Sequence, residues 1–112
     1  MVVNALRPAR RPSAMLKSRT AVAGEHVANF EIIALGISME PTIRHGDTLL
    51  VSPEIELAPG RIVVAIHGAV WIVKRLVEEF GVLVLRSDNV DEQVSLDDVE
   101  VQGVVVEIRR TV

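Results

Sequence analysis

The sequence predicts a mainly β domain, a curled antiparallel sheet preceded by a flexible N-terminal arm. Three observations lead there. Half of the 112 residues are apolar, and Val, Ile and Leu dominate them, a composition that favours strands. The apolar runs are short and are broken at regular intervals by Gly, Pro, Asp and Asn. The first 27 residues carry Pro8, Pro12, Ser13 and scattered Arg with only weak periodicity.

The length is that of one domain. Residues 1–27 read as the arm and 28–112 as the folded domain. Arg7, Arg10, Arg11, Lys17 and Arg19 precede residue 20 with no acid among them, whereas the remainder is acidic and brings the net charge to −3. Such an arm can touch nucleic-acid phosphates weakly; a solvated flexible tail is the simpler reading. No second helical pattern precedes residue 28, so no helix-turn-helix is expected.

Phe30–Leu35 is an apolar strand leading into Gly36. Ser38–Arg44 contains Pro41 and reads as a turn or one helical turn. Asp47–Val51 is a strand stopped by Ser52-Pro53, and Ala58-Pro59-Gly60 is a turn. Arg61–Ile66 and Ala69–Val77 form a hairpin about His67-Gly68. Gly81 opens Val82–Arg86, Ser87–Glu92 is a polar loop, and Val99–Arg109 is a long strand with a bulge at Gly103.

Cysteine is absent, which excludes disulfides and thiolate-bound zinc. His26, His45 and His67 show no metal-ligand spacing, and no cofactor is expected. No stretch approaches the roughly 20 apolar residues of a membrane span, and the N-terminus lacks a signal-peptide core. The expectation is a soluble cytoplasmic protein.

Lys74 is the most informative residue. Alternation along a strand puts it in one row with Val70, Ile72 and Leu76, while Trp71, Val73, Arg75 and Val77 face the other way. An apolar setting disfavours the ammonium form, and a neutral lysine can take a proton from a serine hydroxyl. On the pattern alone, an edge lysine that snorkels to water is the simpler reading. Ser38 follows a strand in Gly36-Ile37-Ser38-Met39-Glu40-Pro41, where a tight turn could present its hydroxyl and place backbone N–H groups near an oxyanion. A helix-capping or turn serine would look the same. A Ser–His–Asp triad drawing on His45 and Asp47 is a further arrangement that spacing alone does not settle.

Read together, these segments resemble the LexA-like (S24) peptidases and the related signal peptidases. Gly36-Ile37-Ser38-Met39-Glu40-Pro41-Thr42-Ile43 with Gly46-Asp47 is similar to their nucleophile motif. Val73-Lys74-Arg75-Leu76 is similar to their lysine motif, and Leu85-Arg86-Ser87-Asp88-Asn89 to the segment that follows in phage repressors. Gly103-Val104-Val105 resembles the closing strand. The resemblance runs from about Phe30 to Arg110. It implies the LexA/signal-peptidase-like β fold, with Ser38 as nucleophile and Lys74 as general base. It also implies self-cleavage stimulated by a RecA–single-stranded DNA filament, and a homodimer formed through this domain. A repressor or SOS-response switch lacking a DNA-binding domain is the expected role. The alternative is a non-cleaving dimerisation or polymerase-accessory module of the same fold.

Ala23-Gly24 resembles the family's scissile bond, yet it lies only 14 residues before Ser38. A strand from Phe30 to Ser38 spans about 26 Å at roughly 3.3 Å per residue. The chain from Gly24 to Phe30 returns at most about 20 Å. Cutting within one molecule is therefore expected to be strained.

Overall fold

The computed structural model describes residues 2–8 and 29–111. Among the described residues there are eight strands: β1 (Val2–Pro8), β2 (Phe30–Leu35), β3 (Thr48–Ser52), β4 (Ile62–His67), β5 (Val70–Glu79), β6 (Val82–Arg86), β7 (Gln93–Ser95) and β8 (Glu100–Arg109). One 3₁₀ turn, Leu96–Asp98, lies between the last two. Every neighbouring pair is antiparallel, in the order β1-β2-β3-β8-β4-β5-β6-β7. A further pairing of Val2 with Ile72 brings β1 against β5 and curls the sheet back on itself. The mainly β, curled antiparallel architecture expected from the sequence is therefore present.

Alternation along the strands divides the apolar residues between two clusters. Ile32, Ala34, Leu49, Val51, Val64 and Val73 form one, joined by Met39 and Ile43 from the turn after β2. Phe30 and Trp71 pack against it edge to face, their ring centroids 6.3 Å apart. Val63, Ala65, Ile72, Leu76 and Leu85 form the other. Successive residues of β4 and β5 thus serve opposite faces, as the period of two requires.

Three details differ from the sequence reading. Val2–Pro8, read as part of the arm, is a strand along β2, with Pro8 opposite Phe30 and Val2 opposite Leu35. Its sequence alternates poorly, and its pairing comes from the edge of β2 that it covers. Gln93–Ser95, to which the sequence reading assigns no element, pairs with β6. The hairpin turn is Gly68-Ala69 rather than His67-Gly68, a shift of one residue. Residues 9–28 lie outside the described residues, and with them Arg10, Arg11, Lys17, Arg19, Ala23, Gly24 and His26.

The bulge expected at Gly103 is present, because the register of β8 against β4 shifts between Val101 and Gly103. A Cβ at Gly103 would stand 2.7 Å from Val51 Cγ1 and 2.8 Å from the Ser52 carbonyl oxygen. Glycine is needed there for closeness of approach.

Candidate active site

Three segments meet at the end of β2: the turn after it, the middle of β5, and the loop between β6 and β7. The turn follows Gly36, whose φ of +99° reverses the chain. It is braced internally by Glu40 N–H donating to Ile37 O and Ile43 N–H to Met39 O. The Met39 and Ile43 side chains are buried in the first cluster, which fixes the turn from below. Ser38 stands between them and Gly36, and its Oγ is buried with no hydrogen-bond partner.

Lys74 lies in the row with Ile72 and Leu76, as its alternation predicts, and is only 5 % exposed. This excludes the snorkelling edge lysine. The hairpin of β5 and β6 explains what the amine meets. Arg75 is opposite Arg86, so the next residue outward on each strand brings Lys74 opposite Ser87. Lys74 Nζ donates to Ser87 Oγ at 2.7 Å and to Glu92 Oε1 at 3.3 Å. Ser87 Oγ donates in turn to Glu92 Oε1 at 3.1 Å. The hydrogen bond from Lys74, followed by its charge and the Ser87 hydroxyl, holds the Glu92 carboxyl below its ordinary range. The amine is thus engaged with Ser87 and Glu92 rather than with Ser38.

The Ser87–Asn89 segment touches both candidate residues. Asn89 N–H donates to Ser38 O at 2.8 Å, and its side-chain amide donates to Ile37 O at 3.0 Å. Asp88 N–H approaches Met39 Sδ at 3.3 Å. Two residues span at most about 7 Å, so the partner of the amine and the partner of the serine backbone are close neighbours.

Two ion pairs hold the frame. Arg75 grips Asp88 through Nε and Nη2, at 2.9 and 2.8 Å, and also donates to Gly60 O. The paired guanidinium lowers the Asp88 carboxyl below its ordinary range. Arg110 grips Asp47 in the same bidentate manner, at 2.9 and 2.8 Å. Asp47 is buried, accepts from Arg44 N–H, and is likewise lowered, chiefly by the hydrogen bond from Arg110. This assignment leaves no His45–Asp47 couple, since His45 Nδ1 instead accepts from Gly36 N–H at 2.9 Å. A triad built on that pair is not assembled.

Beside Lys74 runs an open groove of about 480 Å³, lined by His67, Ile72, Lys74, Asp91, Glu92, Gln93 and Val94. Its lining mixes apolar Ile72 and Val94 with the carboxylates of Asp91 and Glu92. Among the described residues no group of His, Asp and Glu could hold a metal ion, and no helix is long and apolar enough to cross a membrane.

A serine turn at the end of one strand, a buried lysine on another and a curled antiparallel sheet define the class to which this site belongs. The family model for Peptidase S24-like proteins matches residues 10–106, and the chain belongs to that family. No curated protein matches the chain.

Ser87, Asn89 and Glu92 were not singled out as site residues from the sequence. Ser87 and Asn89 lie in the segment Leu85-Arg86-Ser87-Asp88-Asn89, which resembles that of phage repressors. The register signal for Ser87 was also present: six residues out from the two-residue turn Phe80-Gly81 in either direction lie Lys74 and Ser87. Glu92 belongs to an irregular loop, for which no periodicity exists.

Proposed function

We propose that the chain is a serine peptidase of the Ser–Lys type, with Ser38 as nucleophile and Lys74 as general base. The neutral amine takes the Ser38 proton as Oγ attacks the peptide carbonyl, and backbone N–H groups of the turn meet the oxyanion. Lys74 returns the proton to the leaving amine, and water then releases the acyl group. The single observation that carries this reading is the Ser87–Asn89 segment, which holds the Lys74 amine at one end and the Ser38 backbone at the other. The Ser38 hydroxyl, buried and without a partner, is available to a base that swings towards it.

The substrate is a segment of this chain or of a second copy, in keeping with a switch protein of the repressor or SOS type. Ala23-Gly24 is the proposed scissile bond. Pro8 pairs with Phe30, and Asn29 N–H is bonded to Val51 O, so both ends of 9–28 are tied near Phe30, at the end of β2 away from Ser38. The strand begins at Phe30 rather than later, which supports cutting between molecules. A RecA–single-stranded DNA filament as stimulator, a homodimer, contact of the basic arm with nucleic acid and a cytoplasmic setting belong to this proposal.

The test is a mixing experiment. Ser38→Ala and Lys74→Ala should each be inert alone, and Ser38→Ala should still be cut by the unmodified protein. Persistence of cutting in Lys74→Ala alone would refute the assigned base. A second reading, a non-cleaving accessory module of the same fold, draws on the commitment of Lys74 to Ser87 and Glu92. Absence of cutting in the unmodified protein at any pH would favour it.

A further inference from the structure

The geometry points to Ser87 and Glu92 as a clasp that positions the Lys74 amine and keeps it charged until the carboxylate lets go. The inference rests on the proposed role of Lys74, which as a base must be neutral and must face Ser38.

The contacts form a closed triangle. Lys74 Nζ donates to Ser87 Oγ and Glu92 Oε1, and Ser87 Oγ, having accepted from the amine, spends its own proton on the same carboxylate oxygen. Two donors on one oxygen suit an ionised carboxylate and an ammonium. The amine is enclosed, whereas the Glu92 side chain is 59 % exposed. The carboxylate can therefore leave for water at small cost, while the amine cannot. Ser87 is fixed by the β5–β6 register and by its N–H to Glu92 O, so it sets where the amine stands. Glu92 supplies the charge.

The other groups near the amine come from two directions. His67, at the end of β4, and Asp91, in the same loop as Glu92, line the shared groove but make no hydrogen bond to Lys74. Val63, opposite Lys74 on β4, is apolar. Arg75 faces the other way and is occupied by Asp88. Glu92 is thus the one carboxylate among the described residues bonded to the amine.

The chain contains two lysines, Lys17 and Lys74. Carbon-13 labelling of lysine Cε therefore gives two NMR signals, and Lys17→Ala in the same full chain leaves that of Lys74. Glu92→Gln removes the charge at an exposed position while keeping the shape. It should lower the pH at which the Lys74 signal moves by about one unit, the low end for an opposite charge at this distance. Self-cleavage on the rising limb of its pH profile should then be about tenfold faster at fixed pH. Ser87→Ala should slow cutting at every pH without that gain, and Ser87→Thr, which keeps the hydroxyl, should restore it. An unchanged Lys74 titration in Glu92→Gln overturns the clasp, whether or not the protein cuts. A lowered titration with no cutting in any variant upholds the clasp and refutes the peptidase reading instead.

Discussion

The neighbours of Lys74, Ile72 and Leu76, enter the second cluster, β4 pairs along one edge and Ser87 receives the amine at the other, which leaves Lys74 only 5 % exposed. In sequence it was ambiguous, because an apolar row on a strand suits a snorkelling amine as well as a buried one. Phe80 is the opposite case. It is fully exposed and has a φ of +51° in a two-residue turn whose second residue, Gly81, also has positive φ. Such turns favour Asn-Gly. Phe80→Asn should therefore stabilise the fold by about 0.5–1 kcal/mol, since an aromatic residue gains nothing there to offset its backbone conformation. Urea unfolding would measure it; a loss of stability would mean that the ring has a role in the folded chain. At Gly103 the sign reverses. Gly103→Ala should cost about 1–3 kcal/mol, because the new methyl meets a backbone carbonyl that cannot step aside. The sequence suggested the bulge there, but not the close approach of β3 that makes glycine obligatory.

At the scale of elements, β2 to β6 and β8 were legible because their apolar runs are bounded largely by turn residues, and their ends moved by only one or two residues. β1 and β7 were not legible. Each is short or poorly alternating, and each draws its pairing from the edge of a stronger neighbour. The loops were legible as loops but not as parts. The segment after β6 reads as a polar connection, whereas it docks on the Ser38 turn through both amides of Asn89. Asn89→Ala should leave the fold intact and slow cleavage by about ten- to hundredfold, the usual cost of small misplacement at a reacting group. Asn89→Ala cutting as fast as the unmodified chain would remove this segment from the account.

The Ser38 turn is held from its far side by Arg110 and Asp47, and this pair sets an acid limit. The folded Asp47 carboxyl lies below its unfolded value, so its contribution is complete above the ordinary aspartate range, about pH 4. It is lost as pH falls through the lower, folded value. Asp88, lowered by Arg75, behaves in the same way. Melting temperature should fall on acidification below about pH 4, and Asp47→Asn should be less stable near neutrality with a flatter acid limb. Parallel acid limbs in the two proteins would contradict the role given to the pair.

For the whole molecule, the sheet is one continuous structure in which both halves of the site depend on closure. β2 carries the serine turn at its end, β5 carries the lysine, and β1 touches both. The family and the mainly β architecture were readable from four motifs in order, because each motif sits where a strand meets a turn. The state of the site was not readable, since the direction of a buried amine depends on partners brought together by register. The proposed homodimer has a concrete surface. β8 pairs with β3 along its outer half, while its register with β4 ends at Val104, leaving Val105–Arg109 without β4 on that side. Sedimentation at micromolar concentration should show a dimer, and a Pro substitution at Val106 should weaken it.

If the Lys74 amine activates Ser38 for cutting a peptide bond, intact mass after incubation at pH 7 to 10, over a series of protein concentrations, should show two fragments whose masses meet at Ala23-Gly24. They should form faster as pH rises and faster per molecule as concentration rises, and should be absent in Ser38→Ala and Lys74→Ala. An unbroken chain at every pH and concentration would contradict the assignment of Ser38 and Lys74.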